Sequence, residues 1–156
     1  MHVNARAIIE RDTPGGREIV IQIRNKPHEG GKSIELPGGR VEEYESLLDA
    51  VKREVREETG LQLIEIEGEN TKLNAVGTGT NVECLAPFAV YQTTEGPVDS
   101  LGVYFRCRAK GQLLSIGDET EGAQWISVEH ICQWVAKEPE RFSWIDRAGL
   151  LFYLKI

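Results

Sequence analysis

Glu54, Glu57 and Glu58 stand three and four residues apart in the segment from Gly39 to Leu61, which reads GRVEEYESLLDAVKREVREETGL. On a helix these three side chains share one face. So much like charge on one turn destabilises a helix unless something positive is held beside it. Three hard oxygen donors on a rigid element suit a divalent cation. The chemistry that follows is attack by water on a phosphate ester or anhydride. For an isolated acidic helix, a solvated face would be the plainer account. The surrounding spacing decides between the two.

The element that must position these carboxylates is legible. Ser46 followed by Asp49 resembles a capping box, with aspartate in place of the usual glutamate or glutamine. Leu47, Leu48, Val51 and Val55 form an apolar stripe at helical spacing, and Gly60 is a C-cap candidate. The expected helix is about four turns long, with its stripe on a sheet. Just before it, Pro37-Gly38-Gly39 allows a tight turn that brings backbone close to the helix.

The rest of the chain reads as strands with two further helices. Asn4 to Arg11 and the clean alternation of Glu18 to Arg24 predict a hairpin across Thr13-Pro14-Gly15-Gly16. Short strands are expected at Ser33 to Leu36, Leu61 to Ile66, Leu101 to Ala109 and Ala123 to Ile126. Residues 67–81 read as a hairpin, or as a loop with a strand inside it. Val82 to Thr93 reads as one long strand bent at Pro87. Val128 to Ala136 predicts an amphipathic helix, and Pro139 a last helix running to the apolar end LLFYLKI. Helices and strands do not alternate as a doubly wound parallel fold requires. The expected class is α+β, with a layered α/β/α arrangement.

Composition narrows the function classes. The 156 residues are enough for a single domain, 1–156, and too few for two ordinary ones. Apolar content of 40% and charged content of 28% are ordinary for a soluble globular chain. A formal charge of -7 argues against a broad nucleic-acid-binding surface. Small phosphorylated substrates stay compatible, because a bound cation reverses the local field. No run approaches the length needed to span a bilayer, and MHVNARAIIERD lacks the pattern of a signal peptide. Cys84, Cys107 and Cys132, odd in number and widely spaced, suggest a reducing, cytoplasmic setting and buried small side chains.

The spacing from Gly39 resembles the signature of the Nudix (MutT-like) hydrolases. That signature is glycine, five residues, glutamate, seven residues, Arg-Glu, an apolar residue, any residue, Glu-Glu, any residue, glycine and an apolar residue. Gly39, Glu45, Arg53, Glu54, Val55, Glu57, Glu58, Gly60 and Leu61 satisfy it without substitution. The resemblance implies an α/β/α sandwich around a central mixed β-sheet. It implies Mg2+ as cofactor, with Mn2+ as a substitute, held by Glu54, Glu57, Glu58 and the backbone carbonyl of Gly38. Arg53 and Glu45 resemble the family's structural pair, with Gly39 and Gly60 supporting the loop and the helix end. The family draws its general base from different places. One source is a helix glutamate, here Glu57. Another is a carboxylate in the loop ahead of a strand tryptophan, here Asp118, Glu119 or Glu121 before Trp125, with Glu119 preferred.

The implied activity is pyrophosphohydrolysis of a nucleoside diphosphate linked to another moiety, X. X is a phosphate, sugar, ribose or second nucleotide. Two other readings are a non-catalytic nucleotide-binding regulatory module and an RNA 5′-end pyrophosphatase. Substrate contacts are expected from Arg24, Lys32 and Tyr91, with Lys26, His28 and Phe88 as further candidates. Each is equally an ordinary exposed charge or core aromatic. The run Leu150 to Ile156 fits either a homodimer interface or a last helix packed on its own sheet.

Overall fold

The computed structural model describes residues 1–26, 31–114 and 122–155. Its strands are β1 (His2–Thr13), β2 (Gly16–Lys26), β3 (Gly31–Glu35), β4 (Gly38–Arg40), β5 (Gln62–Ile66), β6 (Leu73–Gly77), β7 (Thr80–Cys84), β8 (Ala89–Gln92), β9 (Ser100–Lys110) and β10 (Ala123–Ser127). Its helices are α1 (Leu47–Thr59), α2 (Val128–Lys137) and α3 (Trp144–Leu154).

β1 and β2 form the expected antiparallel hairpin, with Glu10 opposite Ile19 and Thr13 opposite Gly16. β1 also runs parallel to β9, from His2 opposite Ser100 to Ile9 opposite Cys107. The main sheet is therefore mixed, in the order β10-β2-β1-β9-β5. β3 adds to β2, β4 to the first half of β1, and β8 to β9.

Strand alternation divides the core into two layers. Ala5, Ala7, Ile9, Val103 and Phe105 pack with Leu48, Val51 and Val55 of α1. The intervening Ile8 and Tyr104 pack with Ile131 and Val135 of α2 and with Leu150 and Tyr153 of α3. A sheet buried on both faces between helices is the α/β/α sandwich, an α+β architecture. Full burial of a side chain such as Val55 contributes about 1.5–3 kcal/mol.

Four expectations need correction. Residues 82–93 are two strands, because β7 pairs only with β6 while β8 pairs with β9. Pro87, which has no N–H to donate, lies in the gap between them. Of the two readings for 67–81, the hairpin is the one found, shifted along the chain to 73–84; its face of Leu73, Ala75, Val82 and Cys84 is exposed. Pro139 opens only a short 3-10 turn, Pro139–Arg141, and the last helix starts after Ser143, whose hydroxyl caps it. Only Cys107 is buried; Cys84 and Cys132 are exposed, and all three are free thiols. Among the described residues, no helix is long and apolar enough to cross a membrane.

Candidate active site

α1 forms where its sequence signals place it. The Ser46 hydroxyl accepts the Asp49 N–H at 3.0 Å, and Gly60 ends the helix in the left-handed region at φ 81°. Leu48, Val51 and Val55 face the sheet. That docking turns the row Glu54, Glu57 and Glu58 toward the loop between β3 and the helix.

The loop fits closely around this row. A side chain at Gly38, φ 151°, would place Cβ 2.5 Å from the Ala5 carbonyl oxygen. At Gly39 a Cβ would lie 2.6 Å from the Glu54 carboxyl carbon. Both separations are shorter than contact distance, so glycine is the residue that lets strand, loop and carboxylate meet.

Arg53 holds the anionic row together. Its Nε and one terminal nitrogen donate to the two Glu45 carboxylate oxygens at 2.8 and 2.9 Å. The other terminal nitrogen donates to Glu54 at 2.8 Å and lies 3.5 Å from Glu57. The Arg40 carbonyl accepts a further bond at 3.1 Å. Hydrogen bonds from Arg53 keep the Glu45 carboxyl below the ordinary carboxylate range. The bonds to Glu45, followed by those to Glu54, raise the Arg53 guanidinium against the opposing effect of burial. Paired forks of this kind fix orientation as well as charge.

The three glutamates meet different surroundings. Glu57 is 47% exposed at its side chain. Glu54 lies over Gly39 and is bound by Arg53. Glu58 is buried. Its carboxylate accepts from Gln22 Nε2, lies 3.5 Å from an Arg24 nitrogen and 3.5 Å from the Gly38 N–H. Burial pushes the Glu58 carboxyl up to about 8; Gln22 and Arg24 counter this, and the Glu54 charge adds to it. Two carboxylates are thus held close together, with Arg24 beside Glu58 and Arg53 on Glu54. Glu54, Glu57, Glu58 and the Gly38 carbonyl supply the oxygen-only donors that magnesium prefers. As placed, no three acidic, histidine or cysteine side chains among the described residues converge on one point.

Other sequence candidates fall elsewhere. Arg24 donates to Glu35 at 2.6 Å and so belongs to the support of Glu58. Tyr91 is buried, and its hydroxyl bonds Asn4 and Ser100 at 3.0 Å each. Phe88 stacks edge-on with Phe152 and Tyr153. Lys32 lines a cleft of about 900 Å³ with Asn4, Arg6, Arg40, Trp144 and Arg147. His28, Asp118, Glu119 and Glu121 lie outside the described residues, and the side chain of Lys26 is likewise not described.

Sequence reasoning missed Gln22, Glu35, Arg6 and Asp146. Asp146 is fully buried on α3. Its carboxylate accepts the Leu36 N–H at 2.9 Å and the Tyr104 hydroxyl at 2.8 Å. Arg6 lies 3.4 Å from Asp146 and donates to the Leu36 carbonyl at 3.1 Å. The two side chains clamp the Leu36 peptide immediately ahead of Pro37-Gly38-Gly39. Burial raises the Asp146 carboxyl, and Arg6 works against that rise. A polar residue amid apolar spacing was the available signal: Asp146 precedes the apolar end of α3, and Gln22 interrupts the isoleucines of β2.

The NUDIX domain model matches residues 1–147. The chain belongs to the Nudix family. A Bacillus subtilis (strain 168) relative, provisionally named an 8-oxo-dGTP diphosphatase, is 32% identical over 93 residues. That match covers 60% of this chain and 49% of the relative, so it spans about half the relative's length. Among solved structures, the E. coli ORF135 protein superposes with a TM-score of 0.63 at 21% identity, covering 99% of this chain and 89% of that one. The MutT protein from Methanosarcina mazei Go1 gives 0.61 at 21% identity, covering 99% and 94%. At that identity the two structures establish the shared Nudix fold.

Proposed function

We propose that this Nudix domain is a magnesium-dependent pyrophosphohydrolase acting on a nucleoside diphosphate linked to X. One observation carries the reading: the carboxylates of Glu54, Glu57 and the buried Glu58 gather on α1 against the Gly38-Gly39 turn, with Glu58 3.5 Å from the Gly38 N–H and Glu54 over Gly39. Glu54, Glu57, Glu58 and the Gly38 carbonyl would hold the metal. When bound, Mg2+ neutralises diphosphate oxygens and acidifies water, with Mn2+ able to replace it.

The chain's own residues prepare the rest. Arg53 orients Glu54 and ties the helix to the loop through Glu45 and the Arg40 carbonyl. Gln22 and Arg24 fix Glu58 from the β2 side. Glu57, the most exposed of the three, is placed to accept a proton from water. Glu119 is the second candidate base. The cleft receives the remainder of the substrate, with Lys32 on its wall and Tyr91 bracing Asn4 and Ser100 from behind.

The test is a panel of nucleoside triphosphates (8-oxo-dGTP included), ADP-ribose, sugar nucleotides and dinucleoside polyphosphates, with product identification in Mg2+. Turnover of at least one diphosphate, lowered by a hundredfold or more in Glu57→Gln, is expected. Binding without turnover of any member would instead indicate a regulatory nucleotide-binding module.

A further inference from the structure

The cleft carries positive charge that the carboxylate site does not use. It lies on the α3 side of the sheet. Asn4 and Arg6 line it, while their neighbours Ala5 and Ala7 face α1. At about 900 Å³ it is near the top of the roughly 300–1,000 Å³ range of small-molecule sites. In a chain of net charge -7, its walls carry Arg6, Lys32, Arg40 and Arg147 against Glu35 and Glu140, with Asp146 behind Arg6 as its counter-charge. Glu35 is already bound to Arg24.

Three arginines reach this cleft from three elements, and two of them, Arg40 and Arg147, meet no carboxylate among the described residues. Arg40, on β4, meets the His2 ring at 3.3 Å and no carboxylate among the described residues. Arg147, on α3, makes no side-chain hydrogen bond or ion pair among the described residues. Arg6, on β1, is held by Asp146 and the Leu36 carbonyl and lines the cleft with the other two. Trp144 is 40% exposed beside them and offers a stacking face.

We infer that this cleft is a second phosphate subsite: the preferred small-molecule substrate carries a phosphomonoester in addition to its scissile diphosphate. Guanidinium forks bind phosphate oxygens in pairs, and a dianion can engage several arginines at once. A neutral sugar or base calls for no such concentration of charge. The inference rests on the diphosphate site proposed above, and it assigns what X or the ribose must bear.

Two measurements test it. The first is calorimetric binding of adenosine 3′,5′-bisphosphate and of AMP in EDTA, which needs no catalysis. The bisphosphate is expected to bind at least tenfold tighter. Arg40→Ala and Arg147→Ala should each erode that ratio, and Arg147→Lys should restore it only in part. Equal affinities, or a ratio unchanged in both alanine variants that melt like wild type, would overturn the subsite.

The second compares kcat/KM in Mg2+ for matched pairs differing by one phosphoryl group. The pairs are coenzyme A with 3′-dephosphocoenzyme A, NADPH with NADH, and 2′-phospho-ADP-ribose with ADP-ribose. Tenfold preference for the phosphorylated member of one pair is expected. Ratios near one in all three would overturn the inference while leaving diphosphate hydrolysis intact. Preferred cleavage of a 5′-triphosphorylated dinucleotide over every pair would overturn it in favour of an RNA end. The calorimetric ratio stands apart from the hydrolysis reading, so the failure of either is distinguishable.

Discussion

Replacing Glu58 with glutamine should stabilise the metal-free protein while abolishing its activity. Burial pushes the Glu58 carboxyl up to about 8 in the folded chain from an ordinary value of 4.5. Between those values the native state keeps a proton that the unfolded state releases, so stability falls as pH rises. At about 1.36 kcal/mol per unit, the loss from pH 4.5 to 7.5 has a ceiling of about 4 kcal/mol. Glutamine removes the titration and keeps an acceptor for Gln22 and the Gly38 N–H. Its amide can also serve Gln22 Oε1, which is buried without a partner among the described residues. A domain of this size shifts roughly 2–4 °C in Tm per kcal/mol. Thermal melts of both proteins in EDTA, from pH 5 to 8, provide the assay. Near pH 5 the two should coincide, and by pH 8 the variant should melt on the order of 5–10 °C higher. Saturating Mg2+ should raise only the wild type appreciably. A variant that melts lower at pH 8, or a difference constant across the range, would refute the electrostatic account of this carboxylate.

Two other substitutions probe the supports of the site. Arg53→Ala should lower kcat/KM by about two orders of magnitude and raise the Mg2+ concentration for half-maximal rate. Arg53→Lys should recover little, because lysine lacks the fork shared by Glu45 and Glu54; unchanged turnover with unchanged metal affinity in the alanine variant would remove Arg53 from the site. Asp146→Asn should cost about 3 kcal/mol, since it leaves the buried Arg6 without its counter-charge and puts an amide where Leu36 N–H or the Tyr104 hydroxyl needs an acceptor. A denaturant midpoint equal to that of wild type would show that the clamp on the Leu36 peptide is not needed.

Much of this arrangement was legible before any coordinates. Ser46, the stripe Leu48, Val51 and Val55, and Gly60 delimit α1 because caps and helical periodicity are local effects. Alternation likewise marked β2 and β5. Residues 82–93 misled because β propensity does not say which strand is the partner: β7 and β8 pair with different neighbours. Pro139 misled because a helix-starting residue is also at home in a 3-10 turn, whereas Ser143 supplies the true cap.

By itself, the sequence determined the acidic row. Glu54, Glu57, Glu58 and Arg53 lie close along α1, so helical geometry alone brings them together. Tertiary structure decided what surrounds them. Gln22 reaches Glu58 across 36 positions, and Asp146 reaches Leu36 across 110. The arginines of the cleft come from β1, β4 and α3. No local pattern records such approaches, because they arise when both faces of one sheet are buried by helices distant in the chain.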